Sequence, residues 1–207
     1  MRSPSLVLAS SNAGKLREFR VLLSGLELSL RGLGEFPDVV LPEEGEDYRA
    51  NAIAKAQTVA RATGLAALAD DSGLEVEALG GAPGVRSARQ GGPGLDDAGR
   101  LARLLEELST KGADERGACF VCVVALALPE GPVRTARGEC PGRLRESPSG
   151  TGGFGYDPIF EPLDARGALR GATLAELPAA EKNRISHRAR AVGALLPELR
   201  HWLDSLR

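Results

Sequence analysis

Two adjacent carboxylates, Asp70 and Asp71, stand in the stretch Leu68–Arg89 together with the Ser72 hydroxyl and several glycines. Like charges at close range raise each other's pKa, so a buried pair of this kind needs a cation beside it. A hard divalent metal ion is the simplest such cation. In the alternative interpretation the run is a solvated turn, in which Asp and Ser bond to the local backbone and Gly73 supplies a positive φ. The stretch alone leaves both interpretations open.

A short apolar run, Leu65–Ala69, comes directly before these acids and has the length of a buried strand. It predicts a strand that ends where Asp70 begins. Strand ends are where α/β folds commonly carry their chemistry. The sequence therefore predicts a strand that delivers two acids to a site.

A second candidate site lies near the N-terminus, where the apolar run Ser5–Ala9 is followed by a polar turn and then by a helical pattern that Gly25 stops. The polar turn ends in Lys15. A helix N-terminus presents backbone N–H groups and a positive dipole end to an anion, and Lys15 adds a full charge. An ordinary Ser/Asn helix cap explains the same residues equally well. The turn lacks the GxxxxGK[ST] pattern, so a P-loop hydrolase is not supported.

The rest of the chain predicts helices and strands in alternation, which is a mixed α/β fold in a single domain, residues 1–207. Asn51 and Lys55 lie four residues apart on one helix and share a face. The predicted elements are a strand Leu26–Leu30, an acidic loop Arg31–Glu46, a helix from about Asp47 to Thr63, a helix from Leu95, two antiparallel strands Ala118–Leu128 and Val133–Cys140, and a C-terminal amphipathic helix that Pro197 divides or kinks.

Composition excludes several classes of function. Lys plus Arg is 26 and Asp plus Glu is 28, so a net charge of -2 gives no general attraction for nucleic acid or an anionic membrane. No apolar run approaches the roughly 18 residues of a membrane helix, and no leader is apparent, so we expect a cytoplasmic protein. Cys119 and Cys122 fall within a buried-strand pattern, which favours small buried hydrophobes over a metal or redox pair.

Two further segments carry ligand-binding residue types. Glycines surround Phe154 and Tyr156, which suits a platform on which a base stacks, although a hairpin loop with core aromatics fits as well. The run Glu181–Arg188 is rich in cations and donors and comes before the last amphipathic helix. Its His187 stands among Lys182, Ser186 and Arg188, where a ligand-binding role competes with a structural one.

Four separated stretches occur together and in this order: SSNAGK, ADDSGLEVEALGGAPGVRSAR, GTGGFGYDPIF and EKNRISHR. The ordered set resembles the inosine/xanthosine triphosphate pyrophosphatase family, the house-cleaning hydrolases of non-standard purine nucleotides. The resemblance extends from Leu6 to about Leu203. Each motif is weak by itself, whereas the ordered set is highly specific.

The resemblance implies a long curved mixed β-sheet with flanking helices and two lobes around a nucleotide cleft, usually as a homodimer. It implies Mg²⁺-dependent hydrolysis of ITP, dITP or XTP to the monophosphate and pyrophosphate. Asp71 is then the metal-binding general base, assisted by Asp70 and an upstream glutamate. The residues that bind the nucleotide are then Ser10, Ser11, Asn12, Ala13, Gly14, Lys15 and Lys55 at the phosphates, and Ser72, Phe154, Gly155, Tyr156, Asp157, Lys182, His187 and Arg188 elsewhere, with Phe154 stacking.

The chain departs from the family pattern in one place. The family usually reads Thr-Phe-x-Glu-Asn-Ala before its helical lysine, whereas this chain has Asp47–Ala52. The metal-binding glutamate is expected at Glu43, with Glu44 as the alternative. Two other classes remain for comparison. A haloacid-dehalogenase-type phosphatase needs Asp-x-Asp, which this stretch lacks, and a non-catalytic nucleotide sensor has no need for Asp70 and Asp71.

Overall fold

The computed structural model describes residues 3–92 and 94–207, and these form a mixed α/β fold, as predicted. The strands are Ser5–Leu8 (β1), Ser29–Gly32 (β2), Ala66–Val76 (β3), Pro83–Gly84 (β4), Gly117–Ala127 (β5), Arg134–Leu144 (β6) and Phe160–Pro162 (β7). The α-helices are Ala13–Leu22 (α1), Tyr48–Thr63 (α2), Asp97–Glu107 (α3), Ala179–Ile185 (α4) and His187–Asp204 (α5).

One mixed sheet contains these strands in the order β2-β1-β3-β5-β6-β7, and β4 pairs with β3. β1 lies parallel to both β2 and β3, with Leu6 opposite Leu30 and Ala66. β6 and β7 are antiparallel, as are β3 and β4. β5 and β6 are neighbours joined by only six residues, which is too short for a parallel crossover, so they form the predicted antiparallel pair.

The strand that carries the acids differs from the prediction. β3 does not end at Asp70 but continues to Val76, so Asp70 and Asp71 lie inside the strand and the turn interpretation is wrong. Both carboxylates are buried because basic side chains meet them there. Gly73 lets the strand continue, since a Cβ at this position would lie 2.0 Å from the Gly84 carbonyl oxygen of β4.

Helix α2 agrees closely with its prediction, because both of its ends carry strong local signals. Asp47 is the N-cap and its side chain accepts a hydrogen bond from the Ala50 N–H at 2.6 Å. Gly64 ends the helix in the left-handed conformation, with φ of 67°. The helix therefore presents Asn51 and Lys55 on one buried face.

The C-terminal helices begin and end differently from the prediction. The run Glu181–Arg188 is divided between α4 and the first turn of α5, with Ser186 in an extended conformation between them. α5 continues through Pro197 to Asp204, because its apolar side, including Leu195 and Leu199, is buried in the core. The strand predicted at Leu26–Leu30 begins later, at Ser29.

The chain divides into two compact units. The first unit contains the segments Met1–Asp71, Cys122–Gly138 and Arg188–Arg207, and its core includes Phe19, Leu68, Val124, Leu195 and Trp202. The second unit contains Ser72–Val121 and Glu139–His187, and its core includes Leu74, Leu104, Tyr156, Ile159 and Phe160. The assignment of residues 1–207 to a single domain stays a prediction.

None of the three cysteines, which all lie in the described part of the chain, is in a disulfide bond. Burial raises the pKa of the Cys122 thiol to about 12, so this residue acts as a small hydrophobe, as predicted. Cys140 is buried as well and Cys119 is half-buried. Within residues 3–92 and 94–207, no helix is both long and apolar enough to span a membrane.

Candidate active site

The polar turn before α1 caps that helix, and its Lys15 side chain pairs with Asp70. Asn12 is the N-cap, and its side chain accepts a hydrogen bond from the Lys15 N–H at 3.0 Å. The Ser10 hydroxyl accepts from the Asn12 N–H at 3.2 Å. Ser11 and Ala13 are exposed, while Gly14 is buried. The cap interpretation is confirmed, while the binding of a phosphate at this helix N-terminus stays a prediction.

Asp70 is the anchor of a buried ionic network in the first unit. Its Oδ2 lies 2.9 Å from Lys15 Nζ and 3.3 Å from both Nε and Nη2 of Arg188. Burial alone opposes ionisation, but Lys15 and Arg188 outweigh it and hold the pKa of Asp70 well below its usual range. Asp70 therefore stays ionised, and its charge serves to neutralise these two cations.

Asp71 has a different environment, although it is the next residue of the same strand. Its Oδ1 lies 2.9 Å from Lys55 Nζ, and its Oδ2 accepts a hydrogen bond from Asn51 Nδ2 at 2.9 Å. Burial raises the pKa of Asp71 and outweighs the opposing charge of Lys55. A carboxylate with a raised pKa is a better proton acceptor, which is what a general base requires.

Lys55 joins Asp71 to the acidic loop. Its Nζ lies 2.7 Å from Glu44 Oε1, and the carboxylates of Asp71 and Asp70 raise its pKa despite its burial. Asn51 holds the same loop, since it accepts from the Gly45 N–H at 2.7 Å and donates to the Gly45 carbonyl at 3.1 Å. Asn51 and Lys55, on one face of α2, thus hold the acidic loop so that Glu44 lies beside the Lys55 ammonium that also contacts Asp71.

These contacts concern Glu44, whereas Glu43 is the residue that sequence reasoning preferred. Glu44 is half-buried and bound to Lys55, while the Glu43 side chain is exposed. The geometry favours Glu44, and the role of either residue as a metal ligand stays a prediction.

The carboxylates of Asp71 and Glu44 are suitable ligands for a cation that is also bound by the substrate. The Lys55 ammonium contacts both, so the two carboxylates face a common cation position. Mg²⁺ prefers such oxygen ligands and is commonly held by one or two carboxylates together with substrate phosphates. In the described part of the chain, no cluster of three or more His, Cys, Asp or Glu side chains is arranged for a metal. The donor set therefore fits a metal shared with a ligand.

Glu18 is a member of this network that sequence reasoning missed. The Arg188 guanidinium pairs with Glu18 of α1 as well as with Asp70, and Arg188 is only 2% exposed. Glu18 lies three residues after Lys15, so both project from the same side of α1. The spacing of Glu18 from Lys15 was the one signal in the sequence, and its significance depended on Arg188, which lies 170 residues away along the chain.

The second unit contains the aromatic loop, residues 153–157, next to Lys182. Asp157 is buried, and its Oδ2 accepts from Lys182 Nζ at 2.6 Å and from the Phe154 N–H at 2.8 Å. The Lys182 ammonium also lies 5.0 Å from the centroid of the Phe154 ring. Gly153 must be glycine, because its φ is 73° and a Cβ would lie 2.0 Å from Asp157 Oδ2. One carboxylate thus positions both a cation and an aromatic ring.

The other predicted nucleotide-binding residues of the second unit lie in ordered positions. His187 is buried and stacks on Phe120, with 4.7 Å between ring centroids and 11° between planes. The Tyr156 hydroxyl is 2.8 Å from Gln90 Oε1 and 3.2 Å from the Ser87 carbonyl oxygen. Ser72 is half-buried on β3. These are the residue types that bind a purine base: a ring platform, a cation and a neutral or charged imidazole.

The structure therefore sorts the predicted site residues into two groups. In the first unit it brings together the α1 N-terminus, Asp70, Asp71, Lys55 and Arg188. In the second unit it brings Phe154 and Asp157 to Lys182. Two of the four boundaries between the units, Asp71/Ser72 and His187/Arg188, fall within two of the four motifs.

Known proteins are similar to this chain over most of its length. The model of the Ham1 family matches residues 6–198. A relative from Streptomyces avermitilis, named dITP/XTP pyrophosphatase, is 49% identical over 201 residues, which are 96% of this chain and 98% of the relative.

Solved structures agree with the sequence comparison. A HAM1 protein from Coxiella burnetii has a TM-score of 0.82 and 41% identity, over 96% of this chain and 99% of the other. A protein from Mycobacterium abscessus, titled nucleoside-triphosphatase / dITP/XTP pyrophosphatase, has a TM-score of 0.71 and 46% identity, over 93% of this chain and 99% of the other. A family match across nearly the whole chain, together with these relatives, shows that the chain belongs to the Ham1 family.

Proposed function

We propose that this protein hydrolyses non-standard purine nucleoside triphosphates, namely ITP, dITP and XTP, to the monophosphate and pyrophosphate, and so cleanses the nucleotide pool. The proposal agrees with the name of three relatives, dITP/XTP pyrophosphatase. The observation that carries the proposal is that two adjacent carboxylates have different surroundings. Asp70 is a permanent anion between Lys15 and Arg188, while the pKa of Asp71 is raised.

The first unit supplies what a triphosphate needs. The N–H groups at the start of α1 and the Lys15 and Lys55 ammonium groups neutralise phosphate charge. Asp71 takes the proton of the attacking water, and Asp70 keeps Lys15 and Arg188 in place. Attack at the α-phosphorus expels pyrophosphate, whose developing charge the lysines stabilise.

Mg²⁺ belongs to this proposal. We assign it to Asp71 and, on the geometry, to Glu44 rather than Glu43. When bound, the ion neutralises phosphate charge and lowers the pKa of bound water. The assignment predicts that Glu44→Gln raises the Mg²⁺ concentration needed for half-maximal activity by about tenfold, while Glu43→Gln leaves it within about twofold. The reverse order in a metal titration would restore Glu43 as the ligand.

The second unit supplies groups for a purine with an oxygen at position 6. Phe154 offers a stacking surface, and Lys182 and His187 offer donors to the 6-oxygen. The 6-amino group of adenine would meet these donors with another donor and leave them unpaired. ATP should therefore be a poor substrate.

Two alternatives are weaker. A haloacid-dehalogenase-type phosphatase needs a nucleophilic Asp in Asp-x-Asp, whereas here adjacent acids lie inside β3. A non-catalytic nucleotide sensor would keep Lys15 and Phe154 but would have no use for the buried Asp71 with its raised pKa. A homodimer also belongs to the proposal and rests on the family resemblance, while the cytoplasmic location stays an expectation from the sequence.

Release of pyrophosphate from ITP, XTP and ATP tests the proposal directly. We expect Mg²⁺-dependent release from ITP and XTP, with kcat/KM at least about 10²-fold above that for ATP. Binding of ITP without turnover would support a sensor. Release of orthophosphate from simple phosphomonoesters would support a phosphatase.

A further inference from the structure

Helix α3 contacts the aromatic loop through its first residue. Asp97 Oδ2 accepts a hydrogen bond from the Gly155 N–H at 2.9 Å. Asp97 is not required as a cap, because Asp96 is the N-cap and accepts from the Gly99 N–H at 2.8 Å. The Asp97 carboxylate is thus available for the loop.

A second contact joins the loop to α3 through Gln90. The Tyr156 hydroxyl lies 2.8 Å from Gln90 Oε1, and Gln90 Nε2 donates to Glu107 Oε2 at 3.0 Å. Since the amide nitrogen is held by Glu107, the amide oxygen is turned toward Tyr156. Burial raises the pKa of Tyr156 to about 12, so its hydroxyl keeps its proton and donates. Arg103 holds Glu107 in turn, with Nε 3.1 Å from Oε1.

The aromatic loop has particular need of such contacts. Gly153 and Gly155, on either side of Phe154, have φ of 73° and 62°, and glycine gives a loop many alternative conformations. Inside the loop, Asp157 holds the Phe154 N–H. The two bonds to Asp97 and Gln90 restrain the next two residues, Gly155 and Tyr156, and so fix the direction in which the Phe154 ring projects.

We propose that Asp97 and Gln90 are positioning residues for nucleobase recognition: they anchor the aromatic loop to α3 and thereby hold the Phe154 ring in its base-stacking orientation. Neither residue contacts the predicted phosphate or metal groups. The inference rests on the proposed function for its effect on catalysis, while the anchoring is a property of the loop itself. Loss of an anchor weakens base binding and leaves the chemical step unchanged.

The test compares Asp97→Ala, Asp97→Asn and Gln90→Ala with the control Glu115→Ala, which removes an exposed carboxylate bound to Lys111. Amide hydrogen exchange at Phe154 and Gly155 is measured by NMR in the absence of nucleotide, with Val124 of β5 as the reference amide. Steady-state kinetics with ITP give KM and kcat for each variant. Asp97→Asn keeps an oxygen acceptor, so it serves as the conservative replacement.

We expect Asp97→Ala to speed exchange at Gly155 by about tenfold and to raise KM for ITP by about tenfold, with kcat within about twofold. Gln90→Ala should act in the same direction. Asp97→Asn should restore most of both effects, and Glu115→Ala should change neither.

Unchanged exchange at Phe154 and Gly155 in Asp97→Ala would overturn the anchoring. Faster exchange throughout α3 with an unchanged KM would show that Asp97 only stabilises the helix, which also overturns the proposal. Absence of ITP turnover in the unmodified protein would contradict the proposed function instead, and the exchange data would still decide whether α3 anchors the loop.

Discussion

Asp70 and Asp71 are neighbours in the sequence, yet their side chains point to opposite faces of β3 and meet different partners. Asp70 meets two cations at its Oδ2, and its pKa is held low. Asp71 meets one cation and an amide, and burial raises its pKa. Their substitution by Asn should therefore have different consequences.

Asp71→Asn tests the general base. Asn keeps the size of the side chain but cannot take a proton, so we expect turnover to fall by at least about 10²-fold while nucleotide binding largely survives. Single-turnover rates with ITP and equilibrium binding in Ca²⁺ separate the two effects. Turnover at the level of the unmodified protein would remove Asp71 from this role.

Asp70→Asn tests the buried network. The change leaves Lys15 and Arg188 without their shared counter-ion, so the free energy of unfolding at neutral pH should fall by about 3–5 kcal/mol. Urea denaturation measures the loss, and Asp38→Asn at an exposed position is the matched control. The folded-state pKa of Asp70 lies below its unfolded value, so this stabilisation is present above the unfolded pKa and is lost as pH falls toward the folded value. A difference between the proteins that stayed constant down to strongly acidic pH would contradict the assignment.

At the scale of elements, β3 is continuous only because one of its residues lacks a side chain. A Cβ at Gly73 would lie 2.0 Å from the Gly84 carbonyl oxygen and 2.8 Å from Ser87 Oγ. The same Ser87 Oγ accepts from the Leu74 N–H at 2.8 Å. Close approach of β4 therefore holds β3 just after Asp70 and Asp71.

Gly73→Ala should separate β4 from β3. We expect a loss of more than about 2 kcal/mol in unfolding free energy, because the clash is with backbone that cannot move freely, and a lower activity through displacement of Asp71. Gly34→Ala, where a Cβ meets nothing within 4 Å, is the control for both measurements. Equal stability of the two variants would show that β4 moves away from β3 without a loss of unfolding free energy.

Sequence patterns predicted some elements better than others, for physical reasons. α2 was predicted to within a residue because Asp47 and Gly64 signal its ends locally. β3 was predicted too short, since buried acids inside a strand are tolerated only when distant cations such as Arg188 pair with them. Gln90 and Asp97 carry no local signal, as their roles depend on a loop about 60 residues away.

For the whole molecule, four short motifs were enough to indicate the family, and comparison with known proteins confirms it. The strand order and the division into two units could not be predicted, because both depend on pairings between remote segments. The shared helix face of Asn51 and Lys55 was predicted from their spacing, whereas the contacts of both residues with Asp71 required the fold. The choice between Glu43 and Glu44 required the fold.

The central claim is that Asp71 directs water to the α-phosphorus, so that pyrophosphate leaves in one step. Hydrolysis of ITP in ¹⁸O-labelled water, with mass spectrometry of both products, tests it most directly. We expect the label in inosine monophosphate and none in pyrophosphate. Label in pyrophosphate, or orthophosphate as the first product, would contradict it.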